Sequence, residues 1–150
     1  LELINSPVDQ LAMQDSFNGA LCVFTVSSYW LDETALRDSL ASIYNALLPG
    51  GWLIIDRTFR GSFSNTAFHN EKIHRQTTVE DLGGDIYRYT EKSMVIGSCN
   101  TESANDSFLI RFWEEDVFLD YVLAIGFILE KDLSQDFTGS GASFYLLRKD

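Results

Sequence analysis

The sequence predicts an α/β protein with an at least partly parallel sheet, and three features predict it. Residues 47–56, Leu-Leu-Pro-Gly-Gly-Trp-Leu-Ile-Ile-Asp, join a helical pattern to an apolar run that ends in a carboxylate. A second apolar run lies before that helix, so the order is strand, helix, strand, a parallel crossover that is nearly always right-handed. From about residue 58 onward, Thr, Tyr, Arg and Glu alternate with Ile, Val and Met, the texture of half-exposed antiparallel strands.

Each element has its own signal. Residues 19–29 read as a buried strand, introduced by Gln14-Asp15-Ser16 and ending in hydroxyl-bearing Ser27, Ser28 and Tyr29. Asp32 offers an N-cap, and Leu36, Leu40, Ile43, Tyr44 and Leu47 follow at the spacings of one helical face. Pro49 cannot continue that helix, and Gly50 and Gly51 permit a left-handed C-terminal cap. Residues 52–55 are apolar without alternation, as in a strand covered on both faces. The crossover opens both strand ends on one edge of the sheet, so Ser27, Ser28 and Tyr29 share that edge with Asp56 and Arg57. In open parallel sheets ligands bind there.

Downstream, Gly83-Gly84 between Thr77-Thr78-Val79 and Ile86-Tyr87-Arg88-Tyr89 is a hairpin signal. Residues 97–106 read as a polar loop. A second helix is expected over 114–125, with Glu114, Glu115 and Asp116 at the positive end of its dipole and Val117, Phe118, Tyr121, Val122 and Ile125 as its buried stripe. Gly126 stops it. Strands over 127–132 and 143–148, joined by a loop over 133–142, complete the chain.

With 150 residues, 45% of them hydrophobic, the chain fills one core, and 1–150 is read as a single domain. The 22 acidic and 11 basic side chains give a formal net charge of −11, a field that repels nucleic-acid phosphates and anionic membranes. No apolar run approaches the roughly 20 residues that span a bilayer, and no basic-then-apolar leader is present, so a cytoplasmic protein is expected. Cys22 and Cys99 are too few for a disulfide framework and are read as free thiols. His69 and His74, five apart, would face opposite sides of one strand, and no metal site is expected. The first residue is Leu1 rather than Met, which suits a processed product or a piece of a longer chain.

Taken together, the run from Phe17 to Trp30, the helix with Leu-Leu-Pro-Gly-Gly, the strand to Asp56, and the closing Ala-Ile-Gly-Phe and Phe-Tyr-Leu-Leu-Arg-Lys segments carry a resemblance. They look like the C-terminal portion of a class I S-adenosylmethionine-dependent methyltransferase, of the small-molecule type with a β-rich cap inserted after the fifth strand. The resemblance implies a partial Rossmann-like sheet with an antiparallel terminal hairpin and a cap over about 59–112. It implies S-adenosylmethionine as the cofactor of the intact enzyme. Ser27, Ser28 and Tyr29 would then border the cofactor, and Trp30, Asp56 and Arg57 the small-molecule substrate.

The family's glycine-rich turn after the first strand, and its acidic residue after the second, have no counterpart here. Pro7 and Phe17-Asn18 stand where the family usually has an Asp and Phe-Asp. Methyl transfer depends on holding donor and acceptor in line. The chain alone is therefore expected to bind no cofactor and to be inactive, completed by a cofactor-binding subunit or by the rest of its own polypeptide. A non-catalytic methyltransferase-like interaction or regulatory domain is the alternative. No general base stands out, and a nucleophilic acceptor needs none.

Bland readings compete with the sharp ones. Ser27, Ser28 and Tyr29 also suit a solvated hydroxyl turn, and Asp56 and Arg57 surface charges. Tyr87, Tyr89, Phe108, Phe112 and Trp113 suit either a substrate cage or, more simply, cap packing. Thr138-Gly139-Ser140-Gly141 lacks the helix and lysine of a phosphate loop and reads as a hairpin connection. Removing the family's first strands would leave the strand over 19–29 with an apolar open edge, containing Val23, Phe24 and Val26. A homodimer or a complex with a partner is expected across it.

Overall fold

In the computed structural model, which describes residues 3–96 and 101–150, the chain forms two four-stranded sheets and two helices. Cys99 lies outside the described residues. The first sheet has the order β1-β2-β8-β7, from β1 (Phe17–Cys22), β2 (Leu47–Thr58), β7 (Phe127–Asp132) and β8 (Ala142–Lys149). β1 and β2 are parallel, whereas β8 runs antiparallel to both β2 and β7. The second sheet is an antiparallel meander, β3 (Thr66–His69), β4 (Ile73–Gly83), β5 (Ile86–Ile96) and β6 (Thr101–Arg111). It is inserted between β2 and α2.

Helix α1 (Glu33–Ala46) begins where Asp32 accepts the Ala35 amide at 2.8 Å, and α2 (Glu115–Ile125) ends at Gly126 with φ +115°. Both helices cover the same face of the first sheet. Leu36, Leu40 and Ile43 from α1 and Phe118 and Val122 from α2 meet Leu53, Ile55, Tyr145 and Leu147 in one core. Opposed residues on neighbouring strands share a face, and Leu53 opposite Leu147 and Ile55 opposite Tyr145 define the covered one.

Four expectations change. β2 alternates: Leu53 and Ile55 are buried while Trp52 and Ile54 are half-buried on the second face, where no described helix lies. The first strand stops at Cys22, and the chain turns through left-handed Phe24 and Thr25 (φ +67° and +64°) into a 3-10 turn over Val26–Tyr29. The turn follows from Asp56, whose carboxylate captures the Thr25 amide and pulls the backbone out of the ladder. The cap of α1 is Leu47, whose N–H reaches the Ile43 and Tyr44 carbonyls; Pro49, Gly50 and Gly51 instead form an excursion within β2, between Leu47 opposite Phe17 and Trp52 opposite Gly19. Residues 101–106, expected in a loop, belong to β6 and pair with β5 as far as Thr101 opposite Ile96. Polar side chains on an exposed ladder imitate loop composition. Among the described residues no helix is long and apolar enough to cross a membrane.

Candidate functional site

The chain bends at the carboxyl ends of β1 and β2, and the second sheet folds back over them. Asp56 is only 2% exposed, and its carboxylate accepts the Thr25 amide at 2.9 and 3.2 Å. The Ser27 hydroxyl donates to the Asp56 carbonyl at 2.8 Å, and the Ser28 and Thr58 hydroxyls share a bond at 3.2 Å. These contacts lock the 3-10 turn onto the end of β2. Burial pushes the Asp56 carboxyl above the ordinary carboxylate range, opposed by the Thr25 and Phe24 amides. Burial and the nearby Asp56 charge push the Cys22 thiol up to about 12, leaving it a protonated core residue.

Arg57 points away from this turn. Its guanidinium donates to the Trp113 carbonyl at 3.1 Å, to Glu115 at 3.1 Å and to Ser143 at 3.4 Å, while its Nε has no partner among the described residues. The Trp113 indole N–H donates to the Trp30 carbonyl at 3.1 Å. Arg60 joins Asp85, Glu114 and the Tyr87 hydroxyl at 2.8, 2.7 and 3.1 Å, and its guanidinium lies 4.0 Å from the centre of the Phe112 ring. Phe112, with Tyr87 and Ile110, forms a second, small core against the second sheet. The two arginines thus fix α2 and the second sheet to the end of β2.

Between the turn and the second sheet lies a cavity of about 250 Å³. One wall is an aromatic stack: Phe108 sits between Tyr29 and Tyr89, 5.5 Å from each ring centre. The rest is hydroxyl-rich, from Thr25, Ser28, Thr58, Ser62 and Ser140, closed by Phe63, Ile110 and Gly141. Among the described residues no charged side chain lines it. Burial raises the Tyr89 phenol, with Glu91 adding to the effect, so the ring enters as a neutral donor.

Of the residues singled out from sequence, Ser28 and Tyr29 line this cavity, and Tyr89 and Phe108 join them. Ser27, Trp30, Asp56 and Arg57 stand behind the wall, all buried. The surface-charge and solvated-turn readings of Asp56, Arg57, Ser27 and Ser28 are overturned by that burial. Thr25, Thr58, Ser62 and Phe63 were not marked by any motif. Ser140 and Gly141 belong to the glycine-bearing connection, which reaches the cavity because Ser62 donates to the Gly141 carbonyl at 2.8 Å. His69 and His74 are not on one strand but directly opposed on β3 and β4. Among the described residues no group of three or more His, Cys, Asp or Glu is arranged to hold a metal ion.

Comparison with solved structures defines the class of fold. The chain is similar to an S-adenosylmethionine-dependent methyltransferase from Clostridium acetobutylicum, with a TM-score of 0.85, 14% identity and coverage of 96% of this chain and 63% of that one. It is similar to CalS10, an amino pentose methyltransferase from Micromonospora echinaspora solved with S-adenosylmethionine bound (TM-score 0.76, 15% identity, 97% of this chain and 63% of that one). Streptomyces venezuelae DesVI matches with a TM-score of 0.80, 16% identity, and 97% and 64% coverage. The chain thus has a mixed α/β, Rossmann-like methyltransferase fold, and it spans just under two-thirds of the length of these relatives in structure. No protein-family model matches the sequence, and no curated protein matches it.

Proposed function

We propose that this chain is the C-terminal part of an S-adenosylmethionine-dependent small-molecule methyltransferase, and that it supplies the acceptor pocket and its cap. The cavity at the carboxyl ends of β1 and β2 carries this reading. It has the ligand position of an open α/β sheet, an aromatic platform, a ring of hydroxyls and a volume of about 250 Å³, which suits a small molecule rather than a macromolecule. A hydroxylated ring bearing an amine is the acceptor class we favour. Hydroxyl groups pair with its polar edges, and the Tyr29–Phe108–Tyr89 stack attracts its apolar face or a developing ammonium. CalS10 is an amino pentose methyltransferase, and KedS8 from Streptoalloteichus is a sugar N-methyltransferase with a TM-score of 0.75 to this chain. An uncharged amine is nucleophilic already, so alignment rather than a general base does the work.

Ser28 and Tyr29 form the border between acceptor and cofactor, while Ser27, Trp30, Asp56 and Arg57 hold that border in shape. The cofactor itself is held by a complementary half that pairs with the open edge of β1. The half-buried Ile54 and the exposed Leu21 on the second sheet face support this arrangement, because a doubly wound sheet carries helices on both faces. The test is calorimetry with S-adenosylmethionine and methylation of a panel of amino sugars, on the chain alone and joined to a methyltransferase cofactor half. The expected result is no cofactor binding alone and turnover when joined, lowered about tenfold or more by Tyr29→Ala or Phe108→Ala. Micromolar cofactor binding by the chain alone rejects the division of labour, and absence of any turnover when joined, with cofactor bound, rejects the enzymatic reading in favour of a regulatory domain.

A further inference from the structure

A second concavity, of about 680 Å³, lies on the outer side of the cap sheet, on the face opposite Tyr87 and Ile110. The ladder sets one row of side chains across it. His69 on β3 is opposed by His74 on β4, and His74 in turn by Met94 on β5. Directly opposed residues project to the same face with Cβ atoms roughly 5 Å apart, so the two imidazoles and the thioether are adjacent. Their approach is built in: the Asn70 carboxamide oxygen accepts the Lys72 and Ile73 amides at 2.8 Å each, which fixes the tight turn that brings the histidines together.

We propose that His69, His74 and Met94 bind a single soft monovalent metal cation, Cu(I). Two imidazoles that share one ion through nitrogens at about 2 Å have ring centres roughly 5–6 Å apart. Here the rings are 5.8 Å apart, inclined at 69°. Met94 is 41% exposed and has three rotatable bonds, so its sulfur swings over His74 to complete a three-coordinate set of two imidazole nitrogens and one thioether sulfur. That donor set is neutral and contains a soft ligand, which selects Cu(I) over Zn(II) or Mg(II). Charge favours the same choice. Lys92 lies in the same concavity, and its ammonium opposes a divalent ion more strongly than a monovalent one, while Arg75 is occupied by Glu91 at 3.4 Å. Both histidines are exposed, so the ion has access. Binding ties the four-residue edge strand β3 to β4 and β5.

Anaerobic titration of the full chain with Cu(I), against a colorimetric Cu(I) chelator, tests the site, with a Cys99→Ser variant run beside it to remove thiol ligation. One equivalent is expected in both proteins. His74→Ala and Met94→Leu are each expected to weaken binding about tenfold or more, since even outer partners of metal ligands are worth that much. Met13→Leu, which alters the other methionine, is expected to leave binding unchanged. Amide exchange over Ala67–His69 slows when the ion binds. Uptake that disappears in Cys99→Ser, or uptake that His74→Ala and Met94→Leu leave intact, overturns the site, and so does the absence of any uptake.

Discussion

At the scale of single residues, Asp56 shows how a charge is used to bend a chain. Its carboxylate is withdrawn from water and compensated only by backbone N–H groups, and burial wins, so its proton affinity is raised on folding. A raised carboxyl titrates above its unfolded value of about 3.9. Folded chains then hold more protons than unfolded ones across that window, so this group's contribution to stability is full below it and is lost as pH rises through the folded value. Asp56→Asn keeps an acceptor for the Thr25 amide and removes the titration. The difference between urea midpoints of the native chain and the variant, followed from pH 4 to pH 8, is expected to shift in favour of the variant as pH rises. A flat difference would show that Asp56 keeps its unfolded affinity.

At the scale of elements, local patterns were legible where local physics decides. The Asp32 cap, the apolar face of α1, the acidic start and glycine end of α2, and the Gly83-Gly84 turn all stand where the sequence puts them. What was hidden depends on distant partners. The 3-10 turn over Val26–Tyr29 exists because Asp56, far along the chain, takes the Thr25 amide. Polar residues 101–106 form a strand because β5 offers them a ladder. The cavity residues Ser62 and Gly141 meet only through the packed fold. There a Cβ on Gly141 would lie 2.6 Å from the Ser62 hydroxyl, and the backbone has φ +79°. Gly141→Ala therefore combines a close contact with left-handed strain of roughly 1–2 kcal/mol. Chemical denaturation is expected to register a loss of about that size, whereas Gly61→Ala, with open space around it, costs less.

At the scale of the whole molecule, the first sheet ends in two edge strands, β1 on one side and β7 on the other. Among the described residues β1 pairs with β2 alone, and its free edge carries Leu21, 66% exposed, with Phe24, 87% exposed, just beyond its end. An apolar groove of about 500 Å³, lined by Val8, Leu11, Phe17, Leu21 and Val26 among others, runs beside it. Such an edge is a template for another strand. Sedimentation velocity of the pure chain is expected to show concentration-dependent association, reduced by Leu21→Lys, which sets a charge into the edge; Phe24→Lys acts less, because Phe24 lies outside the ladder. A monomer at high micromolar concentration in every case would remove the argument for a homodimer or a complementary subunit at this edge.

The order of strands also sets a timetable for folding. Every rung of the second sheet joins strands that follow one another along the chain, from Ile96 opposite Thr101 to Ile86 opposite Arg111, and such short loops close quickly. The central ladder of the first sheet joins residues more than half the chain apart, Trp52 opposite Arg148 and Thr58 opposite Ala142, so β2 waits for the last strand. The chain carries its own clock for the difference. Its three tryptophans are Trp30 and Trp113, in the first core, and Trp52, on the other face of the same sheet, and the strands of the second sheet contain none. In stopped-flow refolding, strand content measured by circular dichroism is expected to rise before tryptophan fluorescence settles, with the late phase marking the moment when the end of the chain slides in beside β2.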